Sequence, residues 1–229
     1  MELSKRMNTI VEMIYKCDTI ADIGTDHGYI PIYIIKNNIA KKVLACDINV
    51  KPLEGAKQNI INSNLSEFIE TRLGSGLLPI NKNEIDTAII SGMGGMLIID
   101  ILKNSSEIVK DIKQLVLQPQ LDLYNVRKYI HSIGFKIDNE IMLIEEEKYY
   151  NVISAVKGFE RYDNEFEYFF GKCLIEKKSI ILKKYVENML FKTEKTLKRI
   201  NNNNSQSALY RKELLKKNYN MFVEVLKCL

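Results

Sequence analysis

The segment Asp22-Ile23-Gly24-Thr25-Asp26-His27-Gly28-Tyr29 follows a short apolar run. Glycines spaced this way let a chain leaving a strand turn tightly and come close to a ligand, and a helix beginning just after them aims its free N–H groups at whatever binds there. The segment reads as a glycine-rich nucleotide loop that departs from GxGxxG. Asp26 stands where a pyrophosphate binder keeps a small neutral residue, and a carboxylate there repels phosphate. A ligand with a cationic amine or sulfonium and no phosphate suits it better. S-adenosylmethionine meets these conditions.

Further along, Asp47 lies about 19 residues past Gly28 at the end of a second apolar run, where a carboxylate can accept both hydroxyl protons of an adenosine ribose; the alternative is a simple cap on the helix that follows. Gly74-Ser75-Gly76-Leu77 falls where an adenine ring should lie, and Ser91-Gly92-Met93-Gly94-Gly95-Met96 reads as a second flexible loop, placed where a methyl acceptor meets the donor. Leu117-Gln118-Pro119-Gln120 offers paired donors and acceptors, able to read a base edge or to solvate a loop. Of the two histidines, His27 is a proton carrier or an orienting hydrogen bonder, and His131 is structural.

These segments need a scaffold. From Thr19 to Val156 short apolar runs alternate with amphipathic stretches, the pattern of a parallel sheet covered on both faces by helices. Strands are expected at 19–23, 42–47, 69–73, 86–91, 114–117, 135–144 and 150–157, the last two as an antiparallel hairpin around a solvated Glu145-Glu146-Glu147 turn. Helices are expected at 3–16, 30–37, 50–63, 95–104 and 122–133. A terminal hairpin on an otherwise parallel sheet belongs to methyltransferase-type Rossmann folds more than to dinucleotide-binding ones. Beyond Gly158, apolar residues recur at helical spacing from Asn164 to Ile200 and again from about Ala208 to Leu226, separated by an asparagine-rich connector at 201–206. Two long antiparallel helices, a helical hairpin or coiled coil, are the simplest arrangement.

With 229 residues, 46% of them hydrophobic, the chain can bury one substantial core and carry an appendage. No apolar run is long enough to span a membrane and the start lacks a secretory leader, so a cytoplasmic address is expected. Four scattered cysteines without a CxxC suggest neither a disulfide framework nor a metal site. The formal charge of +4 decides little until it is divided: residues 1–160 carry net −3 and residues 161–229 net +7. Domains are accordingly expected at 1–160 and 161–229.

The chain resembles the bacterial TrmK-type tRNA (adenine-N1)-methyltransferases, which act on the adenine at tRNA position 22 in the D-loop. The resemblance rests on Leu3-Ser4-Lys5-Arg6-Met7, on the Ala21–Pro31 segment, on Ser91-Gly92-Met93-Gly94-Gly95, on Leu117-Gln118-Pro119 and on the helical C-terminal extension. It implies a class I Rossmann-like methyltransferase fold (seven strands, mainly parallel) plus a coiled-coil-like domain, with S-adenosylmethionine as donor and tRNA as substrate. Carried over residue by residue, cofactor contacts would fall on Asp22, Gly24, Asp26, Gly28, Asp47, Gly74, Ser75 and Gly92. Ser75 stands where such proteins usually have an acidic residue, so contact with the adenine amine would be weaker or made by backbone and Gly76.

Adenine N1 already carries a lone pair, so the reaction needs positioning and desolvation more than a base or a metal. Asp26 and the main chain at Gly92-Met93 are the candidates to stabilise the developing charge and accept from the N6 amine, with Asp26 expected as cofactor or N6 partner, Tyr29 as the platform for a flipped adenine and the Ser91–Gly95 loop as the wall of the acceptor site. Basic side chains of the helical half, among them Lys183, Lys184, Lys198 and Arg199, are expected to hold tRNA phosphates, helped by Lys5, Arg6, His27 and Gln118 nearer the chemistry. A monomer is expected. The alternatives are a methyltransferase for another acceptor and a non-catalytic module that binds RNA and senses S-adenosylmethionine; a nicotinamide-dependent oxidoreductase is disfavoured by Asp26 and by the hairpin.

Overall fold

The structure is a computed structural model describing residues 2–200 and 205–229. The chain divides into two compact units, Met1–Arg161 and Tyr162–Leu229. In the first, continuous apolar runs form strands buried on both faces: Ile20 and Ala21, Leu44 and Ala45, Ile89 and Ile90, and Val116 and Leu117 are all fully enclosed. The element order is α1 (Lys5–Glu12), β1 (Cys17–Ile23), α2 (Tyr29–Lys36), β2 (Ala40–Asp47), α3 (Val50–Asn62), β3 (Ile69–Leu73), β4 (Thr87–Met93), α4 (Gly95–Asn104), α5 (Ser106–Val109), β5 (Gln114–Pro119), α6 (Leu123–Ser132), β6 (Phe135–Glu145) and β7 (Lys148–Lys157).

The seven strands lie in the order β3-β2-β1-β4-β5-β7-β6. Strands β1 to β5 pair parallel, and β7 runs antiparallel to both of its neighbours. This is the Rossmann-like methyltransferase fold with its terminal hairpin. The order reverses between β1 and β4, so connections leave those two strands in opposite directions and open a crevice at their carboxyl ends.

Several expectations change. The first helix is shorter than 3–16: Ser4 caps it through Met7 N–H, and it ends at Met13. Strand β4 does not stop at Ser91 but runs through Gly92 to Met93, and β5 runs to Pro119. The pairing slips by one residue between Ser91 and Met93. Gly92 and Met93 therefore belong to a bulged strand end rather than a flexible loop, a shape Gly92 permits through its φ of +74°. The solvated turn of the hairpin is confined to Glu146 and Glu147, both at positive φ, while Glu145 lies in β6 and accepts the Arg6 N–H at 2.9 Å.

In the second unit the single helix expected over 164–200 is three: α7 (Glu165–Phe170), α8 (Lys172–Glu176) and α9 (Ile180–Ile200). The chain takes left-handed backbone at Gly171 (φ +89°) and Lys178 (φ +49°), which stops each short helix while keeping the apolar side inward. Asn164 and Glu167 form a reciprocal capping box that starts α7. α9 and the final helix α10 (Gln206–Cys228) pack antiparallel, with Tyr219 donating to Glu194 at 3.3 Å. Phe170 meets Phe222 edge to face beneath them. The asparagine connector expected at 201–206 lies mostly outside the described residues.

Candidate active site

The crevice between β1 and β4 holds a cavity of about 240 Å³. Its floor is Asp22 and Gly24 at the end of β1, one side is Thr25, Asp26, His27 and Tyr29, and the other is Ser91 and Gly92 of β4, with Arg6, Met7 and Ile10 of α1 closing over it. The loop after β1 is hung from the end of β2: Gly24 N–H and Thr25 N–H both donate to Cys46 O, at 2.8 and 3.0 Å. Gly28 then donates to Thr25 O and caps α2 in left-handed backbone. A side chain at Gly28 would press on Ala56 of α3, so the glycine is needed twice over. Asp26 also holds left-handed backbone, at φ +47°, unusual for a residue with a side chain. It projects into solvent beside His27, whose Nε2 lies 3.7 Å from its carboxylate, and the His27 and Tyr29 rings stack with centroids 5.4 Å apart.

Asp22 is the electrostatic centre. Only 2% exposed, its carboxyl is pushed by burial up to about 7; Thr25 offsets part of that rise and the neighbouring Asp47 adds to it. Enclosure thus favours the protonated acid, and a positive charge placed beside it would offset that cost. Asp47 ends β2 with one carboxylate oxygen accepting Asn49 N–H at 2.8 Å, and its own carbonyl accepts Gly74 N–H at 2.9 Å, which ties the ends of β2 and β3 together. Asp47 is thus not the cap of the helix that follows, whose N-cap is Asn49, and the Asn49 bond uses only one of its oxygens. Ser75 follows Gly74 at the same edge, and Gly76 lies so close to Ile101 that a Cβ would strike it.

Of the residues singled out in the sequence, Arg6, Asp22, Gly24, Asp26, His27, Tyr29 and Gly92 line one cavity. Gly28, Asp47, Gly74 and Ser75 do not line it: Gly28 lies in the loop after β1, and the other three at the ends of β2 and β3. Met93 reaches over the loop, for a Cβ on Gly24 would meet Met93 Cε at 2.5 Å. Gln118 is fully buried, with its oxygen accepting Arg6 Nη1 and Gly92 N–H, so its amide faces the protein's own backbone instead of an open cleft. Lys5 donates to Ile144 O at 3.2 Å. Lys183, Lys184, Lys198 and Arg199 are exposed on α9 in the other unit. Sequence reasoning missed Thr25, Met7 and Ile10 as lining residues and Glu145 as the anchor of Arg6. The first three carry no chemical signature, and Glu145 was hidden inside an acidic triplet. Among the described residues no cluster of metal-binding side chains occurs, and no helix is long and apolar enough to cross a membrane.

Residues 3–153 match the family model described as a methyltransferase domain. The chain belongs to the methyltransferase-domain family. This methyltransferase is 35% identical over 158 residues to the tRNA (adenine(22)-N(1))-methyltransferase of Bacillus subtilis, covering 69% of this chain and 66% of that protein, so the match spans just under two thirds of the relative's length. The solved structure of the Bacillus subtilis tRNA methyltransferase TrmK superposes with a TM-score of 0.88 at 28% identity, covering 98% of this chain and 99% of that one. Mycoplasma capricolum TrmK in complex with S-adenosyl-homocysteine superposes with a TM-score of 0.87 at 32% identity, covering 99% and 98%. The methyltransferase is thus homologous to the TrmK-type proteins along nearly its whole length, helical extension included.

Proposed function

We propose that the protein transfers a methyl group from S-adenosylmethionine to N1 of adenine 22 in the D-loop of tRNA. The observation that carries this reading is the convergence of Asp22–Tyr29 and Ser91–Gly92 on a single cavity, in a chain 35% identical to a tRNA (adenine(22)-N(1))-methyltransferase. The residues present fit the donor. A buried carboxyl raised to about 7 at Asp22 gains a counter-charge from a ligand amine or sulfonium, Asp47 retains an oxygen for a ribose hydroxyl, and no phosphate is needed beside Asp26. When bound, S-adenosylmethionine supplies the methyl, whose bond to sulfur breaks as a bond to adenine N1 forms.

The chain's own part is binding, orientation and exclusion of water. Asp22 and Asp47 hold the donor's charged and hydroxylated ends, and Met93 lies across Gly24 to fix the floor. Over Gly92 and Gly94 the main chain is open, since a Cβ at either would meet nothing within 4 Å; a flat base can approach there with little obstruction. Tyr29, 37% exposed and backed by the His27 ring, offers a stacking face. Asp26 is free to accept from the N6 amine as positive charge develops on the ring. The exposed cations of α9, Lys183, Lys184, Lys198 and Arg199, supply attraction for tRNA phosphates.

The test is to incubate the protein with unmodified tRNA and labelled S-adenosylmethionine and map the methylated nucleoside. Methylation at N1 of adenine 22 is expected. A different position or base would replace the substrate assignment, and cofactor binding without transfer to any tRNA would make the protein a sensor rather than an enzyme.

A further inference from the structure

The bulge in the β4–β5 pairing falls at Gly92: Ser91 pairs with Gln118 and Met93 with Pro119, so the Gly92 N–H faces β5 at the point where the register slips. The fully buried Gln118 side chain turns back onto this bulge, its Oε1 taking Gly92 N–H at 3.2 Å and Arg6 Nη1 at 3.3 Å. Arg6 is itself fastened. Its backbone N–H donates to Glu145 Oε1, its Nε lies 3.9 Å from Glu145 Oε2, and its guanidinium sits 5.1 Å from the centre of the Tyr150 ring. A series of interactions therefore runs from Glu145 on the terminal hairpin, through Arg6 on the first helix and Gln118 on β5, to one amide at the cavity wall.

That amide has a partner across its peptide bond. In a trans peptide the carbonyl points opposite to the N–H, so fixing Gly92 N–H toward β5 turns the Ser91 carbonyl toward β1. Pairing between β1 and β4 ends at Ile23 and Ile90, because β1 turns away at Gly24; the carbonyl thus faces the gap where the cavity lies, and Ser91 is part of that cavity's lining. We propose that Gln118, held by Arg6, is a positioning residue that orients the Ser91–Gly92 peptide so that the Ser91 carbonyl accepts a hydrogen bond from the N6 amine of the target adenine. This rests on the function proposed above and adds a specificity element to it: a carbonyl acceptor selects a base with an amine beside the methylated nitrogen.

Three variants test it. Gln118→Met removes the acceptor at similar length, Gln118→Asn keeps the amide but shortens its reach by one methylene, and Gln118→Glu keeps an acceptor for both Gly92 and Arg6, losing only the long bond to Pro119 O. In Gln118→Met, kcat for tRNA methylation is expected to fall at least tenfold, with KM for tRNA and Kd for S-adenosylmethionine within twofold of the parent. Hydrogen exchange at the Gly92 amide is expected to accelerate. Gln118→Asn should behave alike, which keeps the test usable should the Met variant fail to fold. Gln118→Glu should turn over at least fivefold faster than either.

An unchanged kcat in Gln118→Met or Gln118→Asn overturns the proposal. So does a change confined to KM, which would mark Gln118 as a direct substrate contact, or an equal loss in Gln118→Glu, which would show that the amide donor matters. If the parent protein transfers no methyl to tRNA, the functional reading fails instead, while a Gly92 amide that stays protected in Gln118→Met independently disproves the tether.

Discussion

Asp22 concentrates the energetics of the site in one carboxyl. Its value in the folded protein, about 7, stands above the ordinary 3.8, so between those two values the folded state holds a proton that the unfolded state has released. Stability therefore falls as pH rises through this window, by at most about 4 kcal/mol across about three pH units. The ligand-free protein is expected to melt at a lower temperature at pH 8 than at pH 5.5, and Asp22→Asn should remove most of that difference. A ligand cation that requires the ionised carboxyl reverses the sign for binding: affinity for S-adenosylmethionine should strengthen about tenfold from pH 6 to pH 8, and calorimetry in buffers of different ionisation enthalpy should detect proton release. A pH-independent affinity would remove Asp22 from the cofactor site. The sequence disclosed this residue through the glycines that follow it, but not its protonation, which depends on enclosure by strands distant in the chain. Gln118 shows the converse. Its amide was legible as chemistry, whereas its target, the Gly92 N–H at a strand bulge, is set beside it only once β4 and β5 are aligned.

At the scale of elements, glycines decide how closely helices and strand ends approach. Gly95 opens α4, and a Cβ there would lie 2.4 Å from Leu121 O and 2.8 Å from Val126 Cγ2; because the first of these is backbone, α4 or the β5–α6 connection must shift. Gly95→Ala is expected to cost about 1–3 kcal/mol, a fall of roughly 2–9 °C in melting temperature for a chain this long. Gly94 provides the control. It has ordinary backbone, φ −63°, and open space where a Cβ would go, so Gly94→Ala should melt within about 0.5 kcal/mol of the parent. Equal losses in the two variants would show that the approach of α4 is not limiting. The alternation of apolar runs and amphipathic stretches made the strands and their covering helices legible, because burial on both faces writes itself as continuous Ile, Val, Leu and Ala. Strand ends were less legible: Gly92 and Met93 look like loop residues until Pro119 pairs beside them. The helix expected over 164–200 failed for a related reason, since the breaks at Gly171 and Lys178 leave the apolar spacing nearly intact, and only the lone glycine marked one of them.

For the molecule as a whole, the uneven charge is the property that no single residue carries. Residues 1–160 are net −3 and hold the buried acid suited to a small cation, whereas residues 161–229 are net +7 and expose most of their lysines. Exposed cations contribute little to folding but bind a polyanion collectively, by releasing counterions from its phosphates. The two ligands of the proposed reaction should therefore respond to opposite parts of the chain. Replacing Lys183, Lys184, Lys198 and Arg199 together by Gln, in the full-length protein, is expected to weaken tRNA binding at least tenfold near 0.1 M salt. For every phosphate that is no longer neutralised, the plot of log affinity against log salt should also flatten by roughly 0.7–0.9. The Kd for S-adenosylmethionine and the melting temperature should stay where they were. Filter binding across a salt series measures affinity and slope in one experiment. An unaltered slope would mean that this face of α9 touches no phosphate and that the positive charge of the second unit serves only its solubility. A reduced slope with unchanged cofactor affinity would show that the basic half contributes to RNA binding and not to holding the methyl donor.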